Sequence, residues 1–484
     1  MKDNSVAKNY IYNLIYQVLV LILPLITTPY LSRILGAEGV GIYSYTISIV
    51  TYFILFGSLG IAMYAQREIA YVQDDEYKRS KIFWEVFILR GISLVISMII
   101  FYFTFAFRGE YSIYYKILLL EIIANIIDFS AFFQGMEEFK KIIKRNVIIK
   151  IVSIVSIFLC IKTSADLNKY VLIYVLSTFL GNLSLCLYLP KYLTKVPIQS
   201  LEYKKHLKPT VALFIPQIAT QIYTVLDKTM IGGLIADKAE VGYYEQSQKI
   251  VKVFLTIVTS LGIVMLPRIA NKFANGKKEE IKKNILTSFN FVYFLATPMM
   301  FGLIVVTRDL IPWFLGNSFE KSIYVTYVIS PIILIIGLSN VIGTQYLIPT
   351  QKQKQYTISV VLGAITNLIL NFIFIPKFMS TGAAMSTIIA EIVVTGIQIY
   401  CVRKEFKLKE VFGMSVKYIV ASVIMFIIII LLNKFVLTNI SVILRLVLDV
   451  CTGCGIYCIS LIVLKDEFLG SLLKRVLSYR KKSI

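Results

Sequence analysis

Apolar positions along this chain fall in long blocks, not in the alternation of a half-buried strand or the narrow stripe of a surface helix. Apolar runs of about 20 residues recur from one end to the other, the length at which an α-helix crosses the hydrocarbon core of a bilayer. Grouping them predicts fourteen spans, near 10–32, 40–62, 83–107, 112–134, 146–163, 168–189, 210–234, 247–267, 285–307, 321–342, 355–375, 381–401, 413–434 and 441–464. The longest polar stretches, near 190–208, 268–284 and 403–411, are too short to fold alone, and no soluble domain or low-complexity segment interrupts the pattern. The first apolar run is too long for a signal-peptide core and is followed by no small-residue cleavage site, so it reads as the first span. Two spans carry charge within their length: 83–107 holds Arg90, and 441–464 holds Arg445 and Asp449. The pattern predicts an all-α polytopic membrane protein.

Composition agrees. Hydrophobic residues make up 57% of the chain, charged residues 16%, and the mean hydropathy is +0.75; a soluble domain carries about 25% charged residues. The net charge is +22, and its distribution is informative. About 33 Lys and Arg fall in the N-terminus, 64–82, 137–145, 190–208, 268–284, 351–354, 402–411 and the C-terminus, against about 9 in the alternate loops. The positive-inside bias makes the first set cytoplasmic, and an even number of spans places both termini there. Cations dispersed over many short loops suit anionic lipid headgroups, not a nucleic acid. The six cysteines lie in or beside apolar segments. Cys451 and Cys454 form a CxxC with no second pair or histidine nearby, so they read as buried thiols, not a metal site. The single histidine, His206, stands beside Lys204, Lys205 and Lys208 and reads as a surface residue.

A short string occurs twice. GVGIYSYTISIV (39–50) and EVGYYEQSQKIV (240–251) align at an offset of 201 and share Val, Gly, Tyr, Ile and Val. Each follows a helix with an internal proline, Pro24 or Pro216, and each opens the next span. A match at spans 1–2 and again at 7–8 implies two six-span halves, 1–205 and 206–411, with two further spans and a tail in 412–484. Transporters built from such repeats hold substrate between the halves near the bilayer midplane.

Polar residues within the spans are one-sided. Residues three and four apart share a helix face, and this puts Gln217, Gln221, Thr224 and Lys228 on one stripe of span 7, flanked by Thr220 and Asp227. Span 8 carries Glu245, Lys249, Lys252, Thr256 and Thr259; span 4 carries Glu121, Asn125 and Asp128; span 12 carries Thr387, Glu391, Thr395 and Gln398. Span 1 carries Asn13, Gln17 and Thr28 with Arg33 at its end, and span 2 carries Ser44, Ser48, Thr51 and Ser58. Ionisable groups in a span are costly and face a bundle interior or a wet cavity. Asp128, Lys228, Lys252 and Glu391 are therefore candidate cavity residues. Arg33, Glu245 and Lys249 lie nearer span ends and are equally open to a snorkelling role, and Asp227 and Lys228 to a local pairing. Cationic groups suit an anionic cargo such as a phosphate or an acidic sugar, while the carboxylates suit a coupling proton or cation, or charge balance. Prolines and glycines inside spans, such as Pro298, Pro331, Gly337 and Gly363, mark places to bend.

Several strings carry a family resemblance: LPLITTPYLSRILGAEGVGIYSYTISIVTYF, LFIPQIATQIYTVLDKTMIGGL, EVGYYEQSQKIV, LPRIANKFANG, SNVIGTQYLIPTQKQKQYTISV and TNLILNFIFIPKFMSTGAAMSTIIAEIV. From about residue 8 to 410 the chain resembles the polysaccharide-repeat-unit flippases of the Wzx type, within the multidrug/oligosaccharidyl-lipid/polysaccharide exporter superfamily. The resemblance implies two six-helix lobes around a central cavity with alternating access. It implies an undecaprenyl-diphosphate-linked oligosaccharide as cargo, membrane lipids as surroundings, and a polysaccharide polymerase and glycosyltransferases as partners in the pathway. It implies no cofactor beyond a coupling proton or sodium ion. The matching strings place Arg33, Asp227, Lys228, Glu245, Gln345, Asn367, Asn371 and Glu391 in family motifs. A multidrug or cation antiporter of the same superfamily is the nearest rival and favours a more acidic cavity; a lipid II flippase is closer in chemistry. An integral-membrane glycosyltransferase or ligase needs a sizeable loop for a donor sugar and a base, and the loops here are short, so no enzyme activity is expected.

Overall fold

The computed structural model describes the backbone of residues 2–438 and 440–471, and their side chains except for 2–22, 212–213, 215–224 and 408. Every regular element among the described residues is helical. In chain order the α-helices are α1 (Lys2–Ser58), α2 (Ile61–Tyr71), α3 (Glu76–Phe101), α4 (Ser112–Ile126), α5 (Ser130–Gly135), α6 (Phe139–Cys160), α7 (Leu167–Cys186), α8 (Leu207–Leu234), α9 (Ala239–Ala274), α10 (Lys278–Leu315), α11 (Ser322–Ile329), α12 (Ile332–Ile342), α13 (Gln353–Val402), α14 (Leu408–Phe435) and α15 (Val442–Val463). Among the described residues, ten helical stretches are long and apolar enough to cross a membrane. Two of them hold two predicted spans each. α1 runs through the predicted loop 33–39 with a single break at Gly36 (φ 68°, ψ 178°), a conformation open essentially to glycine. α13 runs through 376–380 with a single break at Met379 (φ 53°, ψ −130°).

The chain divides into two compact units, Met1–Gly242 and Tyr243–Ile484. The core of the first includes Ile61 and Tyr64 of α2, Phe83 and Phe87 of α3, and Phe132 and Phe133 of α5. Beside it the sequence expectation for His206 fails. His206 is only 3% exposed. Its Nε2 lies 2.8 Å from the fully buried Glu85 carboxylate, and its Nδ1 lies 2.7 Å from the Tyr64 hydroxyl. Lys205 adds an ion pair to Glu85 at 3.0 Å, and the Glu202 backbone N–H donates to the same carboxylate at 2.8 Å. A buried carboxylate must be paired and hydrogen-bonded, and the 202–206 segment folds back onto α3 to supply both. Burial alone would lower the Lys205 pKa, but the bond to Glu85 and its charge hold it above the usual lysine value.

The second arm of α1 runs antiparallel to α8 through a close seam. Phe56 meets Phe214 edge-on, the Thr229 hydroxyl donates to Ser48 Oγ at 2.8 Å, and Tyr45 lies against Gly232 where a Cβ would collide with its ring. At the end of the seam the repeated string meets itself. A Cβ on Gly41 would strike the carbonyl oxygen of Lys238, and a Cβ on Gly242 would strike that of Ala37. Both residue pairs are offset by 201, so the two contacts are one contact made reciprocally.

In the second unit α14 and α15 pack directly onto α10. Ser422 bonds Thr297 at 3.0 Å, Tyr457 donates to the Phe294 carbonyl at 2.9 Å, and Arg445 pairs with Asp309 at 3.1 Å. Asp449 accepts from Asn433 at 3.0 Å, so both charges of this span have partners. Arg90 of α3 is likewise bound, donating to the Asp128 carbonyl at 2.7 Å. The cysteines are not buried as expected: Cys160, Cys451 and Cys454 are exposed and the other three half-buried. In a membrane helix the outer face is apolar too, so an apolar context does not imply burial.

Candidate functional site

Each unit gathers its own polar side chains. In the second unit they meet in the interior. The arms of α13 fold back on each other: Gln398 Nε2 donates to Ser359 Oγ at 3.1 Å, and Gly363 takes Val394 where a Cβ would not fit. The same register sets Asn367 opposite Glu391 and Asn371 opposite Thr387. Asn367 and Asn371 are fully buried and bonded to each other at 3.1 Å. Thr387 meets the Tyr244 hydroxyl of α9 at 3.0 Å, and Gln248 donates to that hydroxyl at 3.0 Å. Gln345 lies in a π-helical turn, Gly343–Leu347, is 1% exposed, and donates to Asn340 at 3.2 Å. Glu391 is 6% exposed. Of the predicted residues on α9, Glu245 and Lys249 pair at 3.3 Å one turn apart, and Lys252 is exposed.

In the first unit the predicted residues scatter. Arg33 is exposed, three residues before the break in α1; Asp227 is buried and Lys228 half-buried on α8. Asp128 sits in the interruption between α4 and α5, where its carboxylate accepts the Ser130 N–H at 3.0 Å, a helix-starting role. The side chains of Gln17, Gln217 and Gln221 lie outside the described residues.

The first unit also holds a cleft of about 370 Å³ between α1, α6 and α7. Its walls include Thr27, Arg145, Asn146, Lys150, Ser153, Tyr174, Ser177, Thr178 and Asn182. The Arg145 guanidinium bonds Asn146 Oδ1 at 2.7 and 2.9 Å and Asn182 Oδ1 at 3.0 Å, and Asn182 in turn donates to the Ala124 carbonyl at 2.8 Å. The cation is thus fixed by amides that are themselves tied to α4. Sequence reasoning missed Arg145 because 137–145 counted as a cytoplasmic loop, and passed over Lys150 inside the span 146–163. The signal was present: Asn146, Lys150 and Ser153 stand at i, i+4 and i+7, the same spacing that marked the other stripes.

A cleft lined by amides, hydroxyls and two cations inside an apolar helical unit can hold a polar, negatively charged solute away from lipid. Among the described residues no group of His, Cys, Asp and Glu could hold a metal ion.

Known proteins share this framework. A structure of the lipid II flippase MurJ in an inward closed conformation superposes with a TM-score of 0.77 at 19% identity, covering 94% of this chain and 99% of that one. A protein of Escherichia coli (strain K12) named as an O-antigen transporter is 24% identical over 82% of this chain and 97% of its own. The capsular polysaccharide biosynthesis protein CapF of Staphylococcus aureus is 22% identical over 80% of this chain and 96% of its own. The MatE family matches residues 212–375. The family described as polysaccharide biosynthesis protein matches residues 6–273, more than half of the sequence, and the chain belongs to that family.

Proposed function

We propose that this protein moves undecaprenyl-diphosphate-linked oligosaccharide repeat units from the cytoplasmic to the outer leaflet, for capsule, O-antigen or exopolysaccharide synthesis. The observation that carries the reading is the cationic, amide-lined cleft of α1, α6 and α7 in a chain otherwise built to sit in lipid. Charged phosphates and sugar hydroxyls cannot cross hydrocarbon unaided, whereas a polyprenyl tail is at home there. The polar head passes through protein while the tail stays in the bilayer. The family membership and the relatives named for O-antigen transport and capsular polysaccharide support the same reading.

In this scheme the chain crosses the membrane fourteen times with both termini in the cytoplasm. Residues 1–205 and 206–411 form two lobes that alternate access to a central cavity, and 412–484 adds two helices and a tail. Arg33, Asp227, Lys228, Glu245, Gln345, Asn367, Asn371 and Glu391 line the path. Glycosyltransferases build the cargo and a polymerase receives it. The protein acts as a transporter, not an enzyme.

The test is exposure of a lipid-diphosphate-linked oligosaccharide to an external glycan-modifying enzyme in proteoliposomes, with and without a proton gradient. Protein-dependent exposure is expected, with Lys228→Ala and Arg33→Ala impaired but normally inserted. No exposure in the intact protein overturns the reading. The fold shared with MurJ favours lipid II as the second cargo to try, and faster movement of lipid II than of the oligosaccharide carrier would establish that alternative instead.

A further inference from the structure

Lys150 is the unusual residue of the cleft. α6 spans Phe139–Cys160, so Lys150 stands at its middle, about 16 Å from either end at 1.5 Å per residue. It lies four residues inside the predicted span 146–163 and on the wall of the cleft, and an ionisable group inside a span signals function. Among the described residues Lys150 has no hydrogen-bond or ion-pair partner, and the cleft walls include no carboxylate, the buried Glu121 of α4 standing behind them against Thr178. The walls of the cleft that holds it include Tyr174 and Thr178 of α7, with Asn146 and Ser153 on its own helix. The Tyr174 ring rests edge-on against Tyr43 at 5.6 Å between centroids, which holds its plane in place.

These groups recognise more than a bare anion. Amides and hydroxyls on two facing helices suit the hydroxyls of a sugar ring, an aromatic face suits its C–H surface, and an ammonium with a nearby guanidinium suits an oxyanion. The volume lies in the range of small-molecule pockets. We infer that this cleft binds an acidic sugar residue of the cargo, with Lys150 taking its carboxylate or phosphate oxygens and Arg145 orienting the approach. The inference rests on the transport reading above and adds to it that the repeat unit itself carries negative charge. The lipid diphosphate has the same oxyanion chemistry, so the experiment separates the two sources.

The full chain in lipid nanodiscs is titrated with three probes: a glucuronic-acid-containing tetrasaccharide, its carboxyl-reduced neutral counterpart, and inorganic diphosphate. Calorimetric binding of the acidic tetrasaccharide is expected, at least tenfold weaker for the neutral one and for Lys150→Ala, with Lys150→Arg restoring most of the affinity. Lys150→Gln, which keeps the side-chain volume, serves if the alanine variant does not fold, and it too should lose at least tenfold. Equal binding of the acidic and neutral sugars overturns the inference, as does absence of binding by either. Displacement of the acidic sugar by diphosphate at lower concentration than by itself assigns the cleft to the lipid head and also overturns it. Binding does not depend on transport. A protein that binds the acidic sugar but exposes no carrier in proteoliposomes refutes the transport reading alone, and one that exposes carriers normally with Lys150→Ala refutes the sugar site alone.

Discussion

The buried amides of the second unit and Lys150 of the first are built on opposite plans. In the second unit Asn367 and Asn371 are fully buried and bonded to each other, and Gln398 and Gln345 each end on a named partner. In the first unit Lys150 opens onto a cleft and has no partner among the described residues. Side chains that answer one another contribute to the fold, because removing one strands the other. A cation with no partner among the described residues contributes little to the fold and is open to what enters the cleft.

Replacing Lys150 is the strongest way to break that contrast. A lysine inside a span costs at most about 2.5–3.5 kcal/mol on insertion scales, and less toward its end, so Lys150→Met should raise the thermal midpoint in detergent while abolishing transport. A lowered midpoint would show that Lys150 holds the fold and would erase the distinction. Asn371→Leu should do the reverse, costing about 1–3 kcal/mol because Asn367 is left buried without its donor. The pair Asn367→Leu with Asn371→Leu should cost less than the two singles together, since losing both partners strands neither; additive losses would refute the mutual bond. The helix breaks give the smallest effect. Met379 holds a backbone conformation that suits glycine. Met379→Gly should therefore gain about 1 kcal/mol, the relieved strain less the entropy of glycine. Gly36→Ala should lose about 1–3 kcal/mol, and equal effects at the two breaks would remove the argument from φ.

Much of the architecture was readable before any coordinates, because a bilayer imposes one length on every crossing and one price on every charge inside it. The paired arms of α13 and the polar stripe Thr387, Glu391, Gln398 follow directly from those rules. What escaped reading depends on neighbours distant in sequence. His206 looked like one more member of a lysine-rich loop, and only Glu85, some 120 residues earlier, explains its burial. Asp128 was read only as a cavity residue, and its bond to the Ser130 N–H in the interruption between α4 and α5 could not be seen from the spacing. Arg145 was counted in the basic loop 137–145, and Lys150, inside the span 146–163, was passed over because its stripe with Asn146 and Ser153 holds a single charge, although one helix, α6, carries both.

The glycine contact of the repeat has a consequence for descent. Gly41 touches the backbone beside Gly242, and Gly242 touches the backbone beside Gly41, at matched positions 201 residues apart. In a half-length ancestor this would be a single glycine meeting its own copy across the dyad of a homodimer, the self-complementary contact that such symmetry demands. One mutation there would have altered both sides at once. In this chain the two glycines are separate letters under one constraint, since a side chain at either strikes a backbone carbonyl, that of Lys238 for Gly41 and that of Ala37 for Gly242.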